Sequence, residues 1–424
     1  MNVGLMVIAG LVLLSFCGIP IFLSLGISTL VAMTVGGMPL VVIPQKMFTG
    51  MNSTSLLAIP FFMLAGNIMS RTITRKLVEI SNALIGWLKG SLAVVTVLAS
   101  ALFGAISGSA VATCSAIGGI TIPAMKSEGY TDSFAAAVAS MASILGPMIP
   151  PSITLIVYAS LTETSVASLF SASIIPGIIL CGLLIAYCLI YGKKKDLPSH
   201  PRMSGKEILS TFRSGIWALL MPVIILGGIF GGIYTPTEAA AVSVVYALLI
   251  SFFVYKDMKL KDLFPALLEA GVSAAVILSL VGLSKSSTYV VTTSGLPHTV
   301  LGAFTGMTDN KYVMLLLINI LFLIIGMLME ANAAVVMMTP LLRPLMLAFG
   351  VTDIQFALIM CINLYIGLMT PPVGVCVLLG NQIAGARLER TLKDSIPMLL
   401  IGIFVLMLVT YIPALTTWLP GLAK

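Results

Sequence analysis

The chain has 424 residues, 59% of them hydrophobic and only 9% charged, with a formal net charge of +7. Soluble domains carry about 25% charged residues. So few charges cannot cover an aqueous surface of this size, which excludes a soluble globular protein and implies a polytopic membrane protein. The positive charge sits in short loops rather than in a basic domain, which argues against nucleic acid as a partner.

Apolar runs predict helices over 2–17, 20–37 and 54–70. No basic region precedes Val3 and no small-residue cleavage site follows, so the first run reads as a membrane helix rather than a removable signal. The stretch from Thr72 to Trp87 is amphipathic: Arg75, Lys76 and Glu79 alternate with Leu77, Ile80 and Leu84, as in an arm lying along the interface. The run 90–125 is interrupted at Ser107–Thr113, and 132–160 is broken at Gly146–Ser152. Another helix is predicted over 165–191. A polar linker, Gly192–Arg213, carries Lys193-Lys-Lys195. Beyond it, helices are predicted over 215–233, 236–255 and 264–284, then a mixed stretch from Lys285 to Asn310. An interrupted run 311–349, a broken run 353–386 and a last helix over 395–415 complete the chain.

The halves match. At an offset of 221, Gly129 falls on Gly350, Asp132 on Asp353, Pro123 on Pro344, Gly146 on Gly367 and Pro150-Pro151 on Pro371-Pro372. At 216, Pro20 meets Pro236 and Gly66 meets Gly282. Glycine and proline matches weigh most because they constrain the backbone. If the runs 90–126 and 311–349 are re-entrant hairpins, 17 of the 22 Lys and Arg fall on one set of loops, all but Lys46, Lys285, Lys311, Arg343 and Lys424. That asymmetry marks the cytoplasmic side and makes the halves inverted repeats. The expected fold is an all-α polytopic membrane protein of two inverted-topology repeats with re-entrant hairpins and broken helices. Repeat 1 spans 1–191, with scaffold helices 1–70, an arm 71–89, a cytoplasm-facing hairpin 90–126, a broken helix 132–160 and a helix 165–191. The linker is 192–213. Repeat 2 spans 214–424, with scaffold helices 215–284, an arm 285–310, an outward-facing hairpin 311–349, a broken helix 353–386 and a last helix 395–415. Both termini are then periplasmic.

Candidate chemistry concentrates at the tips and breaks. Ser107, Gly108, Ser109 and Thr113 bring hydroxyls and a flexible turn to mid-membrane depth, where non-helical backbone survives only if buried in protein or lining a wet cavity; at this tip Ala110 and Thr113 are the substrate-binding candidates, as are Ser152, Tyr158, Glu330 and Asn381 elsewhere. Gly146–Ser152 faces them with free carbonyls, since Pro147, Pro150 and Pro151 lack backbone donors. Such oxygens suit a hard cation such as sodium. Ser152 is a good N-cap for the next half-helix, whose dipole end favours an anionic substrate. Close helix packing by small residues is the competing reading. In the second half, Ala331, Asn332, Gly367, Thr370 and Gly374 are the corresponding cation candidates. Glu330 is the charge nearest the proposed centre; it is either functional, or paired with Arg343 or nearer the interface. Tyr158 and Asn381 either line a substrate path or pack. Glu163 and Glu238 read as helix-start caps, and Asp132 and Asp353 as caps too.

The six cysteines lie in apolar runs with no Cys-x-x-Cys pair, which points to free thiols and to neither zinc nor disulfides. His200 and His298 lie in loop-like stretches. No Gly-x-x-x-x-Gly-Lys-Ser/Thr loop or acid–base pair stands out, so neither ATP hydrolysis nor an enzyme is expected.

The segments Leu57-Ala-Ile-Pro-Phe-Phe-Met-Leu-Ala-Gly66, Ser107-Gly-Ser-Ala-Val-Ala112, Ile149-Pro-Pro-Ser152, Tyr234-Thr-Pro-Thr-Glu-Ala-Ala-Ala241 and Gly367-Leu-Met-Thr-Pro-Pro-Val-Gly374 resemble the large membrane subunit of tripartite ATP-independent periplasmic (TRAP) transporters. The resemblance covers essentially the whole chain. It implies an elevator-type fold in a bacterial inner membrane and sodium-driven uptake of an organic acid of the sialic acid or C4-dicarboxylate class. It implies a periplasmic substrate-binding protein and a small four-helix membrane subunit, expected here as a separate chain. By similarity, the ion sites fall at Ser107–Ala112 with Gly146–Ser152 and at Met329–Ala333 with Gly367–Gly374. A binding-protein-independent carboxylate carrier or antiporter of similar elevator fold is the alternative.

Overall fold

A computed structural model describes residues 2–199, 201–371 and 374–422. The described residues form helices joined by short loops, in the order α1 (Val3–Phe16), α2 (Ile21–Val35), α3 (Val42–Met51), α4 (Ala58–Thr72), α5 (Thr74–Ile85), α6 (Ser91–Ser107) and α7 (Ala110–Ser127). Then come α8 (Asp132–Ser143), α9 (Leu145–Met148), α10 (Ile153–Thr162), α11 (Val166–Lys194), α12 (Gly205–Phe230), α13 (Pro236–Leu249) and α14 (Leu260–Thr293). The chain continues through α15 (Leu296–Met307), α16 (Lys311–Leu328), α17 (Ala331–Ala348), α18 (Asp353–Gly367), α19 (Val375–Ala384), α20 (Leu388–Tyr411) and α21 (Ala414–Leu422). Among the described residues, 8 helices are long and apolar enough to cross a membrane, or 9 if α3 and the bent segment through α4 count as one span.

Burial separates the layers. The segment from α8 through α10 is 83% buried over its most apolar window, against 33% for α11, α12 and α20. It is therefore sheathed by protein, while the outer helices expose leucines, isoleucines and phenylalanines suited to lipid. Helix α8 packs against α6, α7, α19 and α20. On the other side, α14 joins α2, α3 and α4, and α13 packs along α4. The two halves interlock across the centre: α10 packs on α17, and α19 packs on α7.

Local chemistry fixes the helix starts. Thr131 and Thr352, 221 residues apart, accept hydrogen bonds from Phe134 and Gln355 backbone N–H and so cap α8 and α18. Thr235 and Glu238 form a reciprocal capping box on α13. Glu163, in contrast, does not start a helix. It follows the last residue of α10 with φ of 60°, closing that helix rather than opening the next, and Ser165 caps α11.

Several elements differ from the expected ones, among them α12, which begins at Gly205 inside the expected linker, and α15, which lies in the expected mixed stretch. The stretch from Lys285 does not begin an arm; α14 runs on to Thr293, because its polar residues are satisfied by neighbours. Ser286 Oγ donates to the Ile43 carbonyl at 3.0 Å, and Ser287 shares a 2.6 Å hydrogen bond with Thr29. Helix α3 was not expected, as Pro44, Gln45 and Lys46 dilute its apolar signal. The last expected helix divides into α20, which begins earlier, and α21.

Candidate functional site

The first tip is built by two cap geometries. Helix α6 ends at Ser107, and Gly108 turns the chain with φ of 61°, a conformation that glycine adopts without a Cβ penalty. Ser109 is extended and caps α7, its Oγ accepting from Ala112 N–H. Ser107 Oγ lies 3.2 Å from Thr113 Oγ1, which donates to the Ser109 carbonyl at 2.8 Å. The break faces this cluster directly. A Cβ on Gly146 would stand 2.6 Å from Thr113 Oγ1 and 2.7 Å from the Ser109 carbonyl oxygen. The tip also lies against the proline break, since a Cβ on Gly108 would approach the Pro151 carbonyl to 2.6 Å. Pro150 and Pro151 are joined by a cis peptide. Hydroxyl and carbonyl oxygens without an acid among them thus gather where tip meets break, a donor set of the hard-cation type.

Ser152 caps α10 as expected, accepting from Leu155 N–H at 3.4 Å, and it shares a 3.2 Å hydrogen bond with the Tyr365 hydroxyl. This ties the break of the first half to α18 of the second.

The second tip differs. Helix α16 ends at Leu328, and the N-cap of α17 is Glu330, the position matching Ser109 at the offset of 221. One Glu330 carboxylate oxygen accepts from Ala333 N–H at 3.1 Å and the other from Asn332 Nδ2 at 2.7 Å. Asn332 Oδ1 is left buried without a hydrogen-bond partner. Gly367 meets Gly326 as Gly146 meets Gly104, each pair too close for an added Cβ. Thr370 Oγ1 donates to the Ile366 carbonyl at 2.9 Å, and Gly374, with φ of 34°, precedes α19. Pro372 and Val373, in this expected break, lie outside the described residues.

Both tips open on one cavity of about 510 Å³. Gly108, Ser109, Ala110, Glu330, Ala331 and Asn332 line it. Its other walls come from α2, α4, α14, α18, Pro147 of α9 and the starts of α10 and α19. Ser107, Thr113, Gly146, Pro150 and Ser152 are not on its wall; Ser107, Thr113, Gly146 and Ser152 are buried. Gly367, Thr370 and Gly374 likewise lie off the wall. Three polar lining residues escaped the sequence reading: Thr154, Ser273 and Tyr365. Thr154 and Tyr365 stand beside the breaks, a proximity that could have flagged them. Ser273 is an isolated serine in an apolar helix and gives no signal.

Two expected path residues are engaged elsewhere. Tyr158 is fully buried and donates to Asp353 at 3.4 Å. Asn381 donates to the Ala386 carbonyl and accepts from Thr391 Oγ1 at 2.7 Å, fastening the end of α19 to α20. Nor does Glu330 pair with Arg343, whose guanidinium binds Asp353. Asp353 therefore serves an ion pair, while Thr352 provides the cap. Among the described residues, no group of three His, Cys, Asp or Glu could hold a metal.

Residues 7–415 match the family described as tripartite ATP-independent periplasmic transporter, DctM component. The chain is 40% identical to the C4-dicarboxylate TRAP transporter large permease protein DctM of Pseudomonas aeruginosa, over 89% of this chain and 88% of that one. It is 35% identical to the sialic acid TRAP transporter large permease protein SiaM of Vibrio cholerae, over 89% of each. The isethionate TRAP transporter permease protein DctMQ of Oleidesulfovibrio alaskensis is 38% identical, over 95% of this chain but 64% of its own length. The fold resembles the Alcanivorax borkumensis YdaH transporter, with a TM-score of 0.61 at 14% identity, over 89% of this chain and 87% of that one. Apolar spans, broken helices and a shared central cavity thus coincide with relatives that are named permeases: the chain belongs to the DctM family and is the large membrane subunit of a TRAP transporter, a multi-pass transport protein rather than an enzyme.

Proposed function

We propose that this subunit carries sodium-coupled uptake of an organic acid across the bacterial inner membrane. A periplasmic binding protein delivers the substrate, and a small four-helix membrane subunit completes the transporter. The observation that carries the reading is the convergence of both tips on one cavity, the first of them packed against Gly146 and the Pro151 carbonyl of its break. Sodium is cargo here. Ser107, Ser109 and Thr113, with Gly146 and the Pro150–Pro151 bend, supply one oxygen cluster. Asn332, with the Gly367, Thr370 and Gly374 break, supplies the other, where the unpartnered Asn332 Oδ1 supports a cation ligand. Thr113 belongs with the ion cluster in this reading, because it faces Ser107 and Gly146 rather than the cavity.

The substrate occupies the cavity between the tips, and the helix starts at Ala110 and Ile153 offer it partial positive charge. The two halves are inverted repeats with both termini periplasmic. Transport follows an elevator course, in which hairpins and broken helices move against the outer helices. The test is uptake into proteoliposomes holding the chain with its small partner subunit, supplied with binding protein and an inward sodium gradient. Uptake is expected only with both, and uptake that persists undiminished without sodium overturns the reading.

A further inference from the structure

Beyond the central cavity along α14, two smaller cavities share one helix face. Ser273, Val276, Ile277 and Leu280 of α14 line the central cavity. Lys285 follows Leu280 by five residues, a rise of about 7.5 Å, and Thr288 and Thr292 continue the face of Leu280 at helical spacing. One cavity, of about 250 Å³, lies between α14 and α17, with Lys285, Thr288, Thr292, Thr339 and Arg343 on its wall. The other, of about 310 Å³, lies between α14 and α3, where Lys46 and Tyr289 join Lys285 and the two threonines.

The charges here do not balance. Arg343 is held by Asp353, which takes two of its five N–H donors and leaves the rest. Lys285 is half-buried and has no hydrogen-bond or ion-pair partner among the described residues. Lys46 stands over the Tyr289 ring at 5.6 Å and makes no ion pair among them either. Glu163, exposed at the end of α10, is the acid within electrostatic reach of Lys285, and it offsets one lysine of the two. A positive charge is left over, and a cation drawn partly out of water without a partner is costly. Lys46 and Lys285 also belong to the sparsely basic set of loops, so orientation in the membrane does not account for them. The Thr288 hydroxyl, on both cavity walls, makes no hydrogen bond among the described residues.

We propose that this crevice is an entry site that holds the carboxylate of the incoming organic acid before it reaches the central cavity. The carboxylate sits against Lys285 and accepts from Thr288 Oγ1, while Lys46 and Arg343 supply the surrounding positive charge. In the topology proposed above α14 starts on the cytoplasmic side, so Lys285 lies outward of the central cavity. The site deepens the uptake reading and rests on it for the direction of travel.

The test is protection of Lys285 from acetylation. The purified chain with its small partner subunit, in phosphatidylcholine nanodiscs and sodium-free buffer, is treated with sulfosuccinimidyl acetate, and each lysine is read by peptide mass spectrometry. Potassium succinate is the probe, against potassium chloride at equal ionic strength. Succinate is expected to slow acetylation of Lys285 about tenfold at roughly ten times its dissociation constant. Lys311, which donates to the Gly350 carbonyl, should be unaffected. Thr288→Val keeps the shape and removes one donor, and it is expected to raise the half-protecting succinate concentration about three- to tenfold, the contribution of one hydrogen bond. That variant also separates the crevice from the central cavity, whose wall does not include Thr288. Equal protection by chloride, protection unmoved by Thr288→Val, or no protection by succinate overturns the proposal. So does protection that phosphatidylglycerol nanodiscs supply without succinate and that succinate does not increase, which would give the site to a lipid headgroup. The readout is equilibrium binding without sodium, so protection in a chain that shows no sodium-driven uptake would sink the transport reading and leave the site standing, and uptake without protection would do the reverse.

Discussion

Arg343 holds Asp353 through a two-pronged contact, Nε to Oδ1 at 2.6 Å and Nη2 to Oδ2 at 2.9 Å, closing the second hairpin onto the helix that follows it. The first half makes the same closure with a weaker pair, Lys126 to Asp132 at 3.3 Å. Planar guanidinium matches carboxylate geometry in a way that an ammonium does not. Both Arg343 and Asp353 are only partly exposed, and Tyr158 donates to the same carboxylate. Arg343→Met is therefore expected to destabilise the protein by about 1–3 kcal/mol, the cost of leaving a hydrogen-bonded carboxylate without its charged partner. Arg343→Lys should fall between the two. Thermal unfolding in one detergent checks the order, and equal midpoints for all three proteins would count against a structural role for the pair.

Gly146 tests the tip-to-break contact. Gly146→Ala places a methyl group against Thr113 Oγ1 and the Ser109 carbonyl. Overpacking of this kind costs about 1–3 kcal/mol where backbone must shift. The half-saturating sodium concentration for uptake is expected to rise about tenfold, since displaced ligands weaken a site by that order. Gly119→Ala, which meets nothing within 4 Å, is the control and should leave sodium dependence unchanged. Equal sodium dependence in both variants would remove Gly146 from the ion site.

Much of this was legible in the sequence, for physical reasons that particular residues show. The Pro150-Pro151 break, the Ser107–Thr113 interruption and the cap Ser152 were visible because proline, glycine and serine constrain backbone locally. The family was legible through the same segments. Partner choice was less so. Glu330 and Arg343 stand about 20 Å apart along α17, too far to pair, and the choice of Asp353 by Arg343 depends on the packing of α17 against α18, which no local pattern encodes. Lys285 looked like the start of a polar arm, yet it continues a helix because Ser286 and Ser287 find partners on α3 and α2. Buried hydrogen bonding overrode apparent polarity at both places.

Asn319 and Asn363 show the same blindness and lead to a third prediction. Each is an isolated amide in an apolar helix, and the sequence reading passed over both. In the structure Asn363 Nδ2 donates to Asn319 Oδ1 at 2.7 Å, and Asn319 Nδ2 donates to Thr410 Oγ1 at 3.1 Å, linking α16, α18 and α20. Removing one partner leaves a buried amide unsatisfied, at a cost of about 1–3 kcal/mol. Asn319→Leu is expected to lower thermal stability by that order, and the pair Asn319→Leu with Asn363→Leu to recover part of it. A double variant whose loss equals the sum of the single losses would show that the two amides act independently.

Thr113 separates an ion role from a packing role. Its hydroxyl lies in the buried cluster with Ser107 Oγ and the Ser109 carbonyl, while its methyl group is interchangeable with that of valine. Thr113→Val keeps the shape and deletes one oxygen. If the cluster holds a coupling ion, the half-saturating sodium concentration should rise about tenfold or more, the effect of losing one charge-assisted ligand contact. Ser107→Ala should act in the same direction. A packing role predicts otherwise: a modest loss of thermal stability with sodium dependence unmoved. Measuring both quantities on one preparation distinguishes the two, and unchanged sodium dependence in both variants would place the coupling ion elsewhere than in the first tip.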